Sequence, residues 1–128
     1  MQLLLDTHAL IWWLEGNRGL SGPARRAIED EDNDVLVSAA SAWEIATKFR
    51  LGKLPSAEAL ALDVAGALAS QDFAELPITV ADAVRAGALP GPHRDPFDRL
   101  LIAQAQARDL YLVSNETFFD AYGVRRLW

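Results

Sequence analysis

The chain has 128 residues, of which 51% are hydrophobic and 23% charged, and its formal net charge is −6. This length and composition predict one folded domain with a substantial core and exclude a disordered chain. The absence of cysteine excludes disulfides, thiolate metal sites and cysteine nucleophiles. The acidic balance argues against a protein that binds nucleic acid by charge alone, but not against an enzyme that reaches it through a metal.

The first apolar stretch, residues 3–5, is typical of a short strand buried on both faces of a parallel sheet. Asp6 ends this strand, and an apolar helix follows through Leu14. Two interpretations of Asp6 stay open at this point. It caps the helix, or it lies at the carboxyl edge of a sheet, where open α/β folds place their sites.

Strands and helices alternate along the rest of the chain. The hydrophobic periodicity, together with Gly, Pro and capping residues at the boundaries, predicts strands over 35–37, 73–76, 110–113 and 124–127. It predicts helices over 22–30, 40–50, 56–70, 80–88, 97–108 and 115–122. This alternation predicts a single three-layer α/β/α domain with a central, mainly parallel sheet of about four to five strands. No signal peptide or membrane-length apolar run is present, so we expect a soluble, cytoplasmic protein.

Two further acids have structural explanations of their own. Glu44 fits a capping box with Ser41, or an ion pair one helical turn before Lys48. Asp98 lies in the first turn of a helix that Asp95 is expected to cap. Neither explanation requires any chemistry.

Considered together, the acids indicate a common position in the fold. Asp6, Glu44 and Glu116 each follow an apolar strand, and Asp98 opens the helix before the fourth strand. Because helices that follow parallel strands begin at the same edge of the sheet, we expect a carboxylate cluster there. Oxygen ligands without a histidine or cysteine set favour Mg²⁺ or Mn²⁺. The matching chemistry is phosphodiester hydrolysis by metal-activated water.

Other polar and aromatic residues have a less specific pattern. The chain has two histidines, His8 and His93; His8, beside Asp6, is either a metal ligand or, as is more common for a histidine in a helical first turn, structural. Trp12, Trp13 and Trp43 are expected to lie in the core. Several cations are candidates for phosphate contacts, with solvated charge as the alternative: Arg25, Arg26, Lys48, Arg50, Lys53, Arg94 and Arg99.

Four stretches, residues 4–14, 37–45, 93–105 and 112–116, resemble the PIN-domain ribonucleases, specifically the toxins of VapBC-type toxin–antitoxin modules. The resemblance extends over essentially the whole chain and implies a PIN-like fold and a metal-dependent endoribonuclease. Asp6, Glu44 and Asp98 match the family's first three acids, which would hold Mg²⁺ or Mn²⁺. Glu116 occupies the fourth acidic position, where aspartate is typical. Ser114 matches the family's hydroxyl position, and Asp95 and Thr7 would support the site.

The resemblance also implies partners: an RNA substrate, a cognate antitoxin, and a homodimer or toxin–antitoxin hetero-oligomer, with dimerisation expected through apolar helical surface within 40–70. One alternative is a non-catalytic PIN-fold module that binds RNA or antitoxin. A phosphatase of the haloacid-dehalogenase type is poorly supported, because that pattern wants a second aspartate where this chain has His8.

Overall fold

The computed structural model describes residues 1–128 and contains five strands. They are β1 (Gln2–Leu5), β2 (Asp34–Ser38), β3 (Ala74–Leu76), β4 (Tyr111–Val113) and β5 (Arg125–Leu127). The helices are α1 (Thr7–Glu15), α2 (Gly22–Glu29), α3 (Ala39–Arg50), α4 (Glu58–Leu62), α5 (Val64–Ser70), α6 (Val80–Ala88) and α7 (Pro96–Arg108). Pro55–Ala57 and Thr117–Tyr122 are 3₁₀ helices.

The strands form one sheet in the order β3-β2-β1-β4-β5, and every neighbouring pair is parallel. The predicted α/β class is therefore confirmed, with β1 at the centre. Leu5 is in register with Val37 of β2 and with Val113 of β4. The residues that follow these three, Asp6, Ser38 and Ser114, consequently lie side by side at the carboxyl edge of the sheet.

The three leucines of β1 show why the sheet is covered on both faces. Side chains alternate along a strand, so Leu3 and Leu5 enter one hydrophobic cluster while Leu4 enters the other. All three are fully buried. The first cluster includes residues of α1, α2 and α5, and the second is built largely by α7 and the 3₁₀ helix Thr117–Tyr122. The central strand is thus fixed from both sides.

Two predicted helices differ from the structure. The helix expected over 56–70 is divided into a 3₁₀ turn and the short helices α4 and α5, because Asp63 leaves the helical conformation (φ −153°) and caps α5 through the Gly66 N–H. The segment expected as a helix over 115–122 is a 3₁₀ helix that begins at Thr117. No helix combines the length and apolar character that a membrane crossing requires.

Candidate active site

Asp6 lies at the carboxyl edge of the central strand and has both of the properties proposed for it. Its side chain caps α1 by accepting a hydrogen bond from the Ala9 N–H at 2.7 Å. It is also only 5% exposed, at the edge where the site was expected. Burial raises the pKa of Asp6, against the opposing effects of the Ser114 hydroxyl and the Ala9 N–H, and the charge of Glu116 raises it further. The cap is therefore confirmed, and burial keeps the pKa of the capping acid above its usual value.

Glu44 is 5% exposed and lies in the second turn of α3. It accepts a hydrogen bond from the Thr7 hydroxyl and forms the predicted ion pair with Lys48. The capping box proposed for Ser41 and Glu44 is wrong, because α3 starts earlier and is capped by Ser38, which accepts from the Ala40 N–H at 3.0 Å. Thr7 follows Asp6 in the chain, so its hydroxyl connects β1 to the second acid.

Asp98 lies in the first turn of α7, whose N-cap is Asp95 as predicted. Its Oδ2 is 2.8 Å from Nε2 of His93, a residue of the preceding loop. Burial raises the pKa of Asp98 to about 6, the His93 hydrogen bond works against this, and the charges of Asp95 and Glu44 raise it further. The third acid therefore experiences the electrostatic field of the second, as a shared site requires.

Glu116 is exposed and follows β4. Its backbone N–H donates to the Ser114 hydroxyl at 3.0 Å, which orders the turn after the strand. Its carboxylate raises the pKa of Asp6, so it acts on the same edge of the sheet. The four acids consequently form two electrostatically linked pairs, Asp6 with Glu116 and Glu44 with Asp98.

Cations near the site differ in their availability. Partial burial opposes the charged form of Lys48, but the hydrogen bond and charge of Glu44, with the charges of Asp95 and Asp98, raise its pKa. Arg50 and Arg94 are exposed. Arg99 is engaged within the protein, because its guanidinium donates to the carbonyls of Ala86, Gly87, Leu89 and His93 and holds the loop before α7. Its contact with RNA stays a prediction.

Two side chains at the site were not foreseen there. His93, to which the sequence assigned no role, contacts Asp98 and stacks on Phe118 with ring centroids 4.1 Å apart. The only indication of this contact in the sequence is that His93 lies three residues before Pro96, where the helix begins. Trp43, predicted to be core, is 51% exposed beside Glu44. Its apolar helical pattern gave no signal of this exposure.

The donor set of this edge can be compared with what a divalent cation requires. It consists of carboxylate and hydroxyl oxygens, which suit Mg²⁺ or Mn²⁺, and a cation would relieve the unfavourable ionisation of Asp6 and Asp98. As placed, no group of three or more acidic or histidine side chains is arranged to hold a metal ion. Lys48 and His93 instead pair with two of the carboxylates. The donor atoms therefore suit a divalent cation, but Lys48 and His93 would have to move away from the carboxylates before a cation could bind.

The sequence of the chain is similar to known proteins over most of its length. The PIN domain family matches residues 3–124. Ribonuclease VapC22 of Mycobacterium tuberculosis is 34% identical over 119 residues, which cover 89% of this chain and 86% of that protein. Ribonuclease VapC16 of the same organism is 59% identical over 34 residues, or 27% of this chain and only 24% of that protein.

Solved structures share the fold at lower sequence identity. VapBC2 from Rickettsia felis, bound to a DNA fragment from its promoter, aligns with a TM-score of 0.72 at 16% identity, covering 98% of this chain and 97% of that one. A toxin–antitoxin complex from Klebsiella pneumoniae aligns with a TM-score of 0.60 at 24% identity, covering 90% of this chain and 87% of that one. With the family match over nearly the whole sequence, these findings show that the chain belongs to the PIN-domain family and is homologous to its VapC members.

Proposed function

We propose that the protein is a Mg²⁺- or Mn²⁺-dependent endoribonuclease that acts as the toxin of a toxin–antitoxin module. The observation that carries the proposal is the position of the acids at the carboxyl edge of the sheet, where Asp6 follows the central strand and the adjacent Thr7 hydroxyl donates to Glu44. It is supported by the homology to proteins named ribonucleases. RNA as the substrate and the cytoplasm as the location belong to the same proposal.

Each acid has a distinct role in this proposal. Asp6, Glu44 and Asp98 would hold the cation, which would supply an activated water and neutralise phosphate charge. Thr7 orients Glu44 through its hydroxyl, and Ser114 orders the turn that carries Glu116. Because Glu116 is exposed and one methylene longer than aspartate, we assign it a supporting role through water. As the family resemblance implies, water would attack phosphorus, the bond from phosphorus to the 3′ oxygen would break, and the 3′ oxygen would leave with a proton, giving 5′-phosphate and 3′-hydroxyl ends.

The partner we propose is a cognate antitoxin, as a hetero-oligomer with the toxin or with a toxin homodimer. Two structural neighbours, by their descriptions, are a VapBC protein on its promoter DNA and a toxin–antitoxin complex. The acidic edge supports an inhibitory segment that carries a cationic side chain, because such a group would satisfy the carboxylates and exclude the metal. Dimerisation through the helical surface within 40–70 stays a prediction, and light scattering of the purified protein tests it.

A second candidate is a non-catalytic module of the same fold that binds RNA or antitoxin. The observation in its favour is that the acids are engaged by the protein itself: Asp6 caps α1, Glu44 pairs with Lys48, and Asp98 pairs with His93. On this interpretation the carboxylates are structural, and divalent cations would not stabilise the fold.

The test is cleavage of total RNA by purified, antitoxin-free protein with Mn²⁺ or with EDTA. We expect discrete fragments that require Mn²⁺. Asp98→Asn should lower the rate at least about 100-fold, the equivalent of about 3 kcal/mol of lost stabilisation. Asp32→Asn removes the same charge from an exposed position outside the cluster and should cleave like the wild type.

Metal-linked thermal stabilisation separates the two candidates independently of any substrate. A ligand that binds only the folded state raises the melting temperature, so Mn²⁺ should stabilise the wild type more than Asp98→Asn. Absence of both cleavage and Mn²⁺-linked stabilisation would establish the non-catalytic module and make the acids helix caps and ion-pair partners.

A further inference from the structure

Trp43 presents a large aromatic surface to solvent next to the acidic edge. Its side chain is 51% exposed, although a tryptophan gains much from burial. The indole is nevertheless held in place, because it packs against Phe97 with ring centroids 4.5 Å apart and an interplanar angle of 72°. This edge-to-face contact joins α3 to the first turn of α7 and fixes an exposed ring in one orientation.

The two rings have a fixed relation to the carboxylates. Trp43 immediately precedes Glu44, and Phe97 immediately precedes Asp98. The Trp43–Phe97 contact and the Glu44–Asp98 pair therefore both lie where α3 meets α7. Consecutive helical side chains point about 100° apart, so the exposed Trp43 flanks the buried Glu44 at this junction and lies outside the acidic edge itself.

The exposed face of α3 continues from Trp43 with a small residue and a cation. Ala46 and Arg50 follow three and seven residues later, on the same side of the helix, and both are exposed. Arg50 is thus about 10 Å from Trp43 along the helix axis. An aromatic ring combined with a cation at this distance suits a nucleobase and a phosphate of one strand. A protein interface would instead require large apolar neighbours at its centre.

We propose that Trp43, supported by Phe97, is a stacking platform for an unpaired base of the RNA next to the phosphate held at the acidic edge. This inference rests on the proposed function, since it assigns a position to that substrate. Stacking on an aromatic side chain is sequence-tolerant, because every base has a π-face. Trp43 thus positions the strand, and it has no part in the reaction at phosphorus.

The test compares Trp43→Phe with Trp43→Leu, because leucine preserves apolar character and only phenylalanine preserves an aromatic face. The probe is a short, unstructured, uridine-rich RNA that carries one 2-aminopurine, titrated with Ca²⁺ in place of Mn²⁺ to hold the strand without turnover. We expect the wild type and Trp43→Phe to bind with similar affinity and to quench the 2-aminopurine. Trp43→Leu should bind at least about fivefold more weakly and lose the quenching. Val84→Ala, which removes an exposed apolar side chain from α6 outside residues 40–70, is the control and should bind like the wild type.

Kinetics and oligomeric state complete the test. In Mn²⁺, Trp43→Leu should raise KM with little change in kcat, as loss of uniform binding predicts. Equal affinity and quenching for the leucine and phenylalanine variants would overturn the platform, as would failure of the wild type to bind the probe. A change from dimer to monomer in Trp43→Leu, seen by light scattering, would assign Trp43 to a contact between copies and also overturn it.

The two proposals fail in different ways. A wild type that quenches the probe but never cleaves RNA would contradict the nuclease and leave the stacking platform standing. A wild type that cleaves RNA at the same KM as Trp43→Leu would contradict the platform alone.

Discussion

Asp82 and Asp98 are both aspartates in the first turn of a helix, on α6 and α7 respectively, yet their environments have opposite effects. Asp82 is 3% exposed, accepts two hydrogen bonds from Arg108 at 2.9 and 3.0 Å, and forms a capping box with Thr79. Burial would raise its pKa, but Arg108, the Thr79 N–H and Gln104 together hold the pKa well below its usual range. Asp98 faces Asp95 and Glu44, and its pKa is about 6.

The difference shows how a structural acid can be distinguished from a functional one in the same fold. A carboxylate whose oxygens are satisfied by a guanidinium and backbone N–H groups stabilises the fold and has no oxygen free to bind a ligand. A carboxylate placed among other carboxylates destabilises the metal-free fold and gains from any cation that arrives. Stability and ligand affinity should therefore respond in opposite directions at these two positions.

The largest expected effect is on stability at Asp82. Asp82→Asn leaves the partly buried Arg108 without its counter-ion and should lower the free energy of unfolding by about 3 kcal/mol. Cleavage by the folded fraction should be unchanged, because Asp82 does not touch the site.

Asp98→Asn should do the reverse, abolishing cleavage while raising stability at neutral pH. Urea unfolding and RNA cleavage on both variants measure this, and a stable, inactive Asp82→Asn would break the comparison.

The next effect is a pH dependence that comes from Asp98. Its folded-state pKa of about 6 lies above the unfolded value of about 3.9, so the native state binds more protons between these limits. Its contribution to stability is therefore fully present below about pH 4 and is lost as the pH rises through 6, by about 2–3 kcal/mol. Urea unfolding between pH 4 and 7 in EDTA measures this loss.

Asp98→Asn isolates that contribution, because the variant keeps every other titrating group. The difference in stability between wild type and variant should change across this pH range and should shrink when Mn²⁺ is present. A difference that is independent of pH would mean that Asp98 ionises like an exposed aspartate.

The smallest effect is expected from Lys48, which pairs with Glu44 where the proposed metal would bind. Lys48→Met keeps much of the apolar stem and removes the competing charge. We expect Mn²⁺ to bind up to about tenfold more tightly, or about 1.4 kcal/mol, as measured by calorimetry. Lys53→Met, at an exposed position beyond the end of α3, is the matched control. Weaker Mn²⁺ binding by Lys48→Met would show that the lysine supports the ion.

The positions of Asp6 and Glu116 could be predicted from the sequence because the end of a strand is a local feature. The apolar run before Asp6 and the punctuation around Asp95 and Pro96 identify their positions without knowledge of the partners. The strand order and the exposure of Trp43 depend on which helix faces meet, and no local pattern encodes that. The helix break at Asp63 was partly predictable, since an aspartate inside an apolar run is itself a helix-capping signal. The roles of the site residues stay predictions.

The strand order has a consequence for the time at which activity can arise. The central strand is made first, yet one of its two neighbours, β4, comes from the last fifth of the chain. Asp6 and Glu44 are synthesised long before Asp98 and Glu116, and until β4 pairs with β1 the sheet stays open beside Asp6. A chain still emerging from the ribosome therefore carries half of the acidic edge. If the edge cleaves RNA, the order of the strands delays that activity and protects the message being translated.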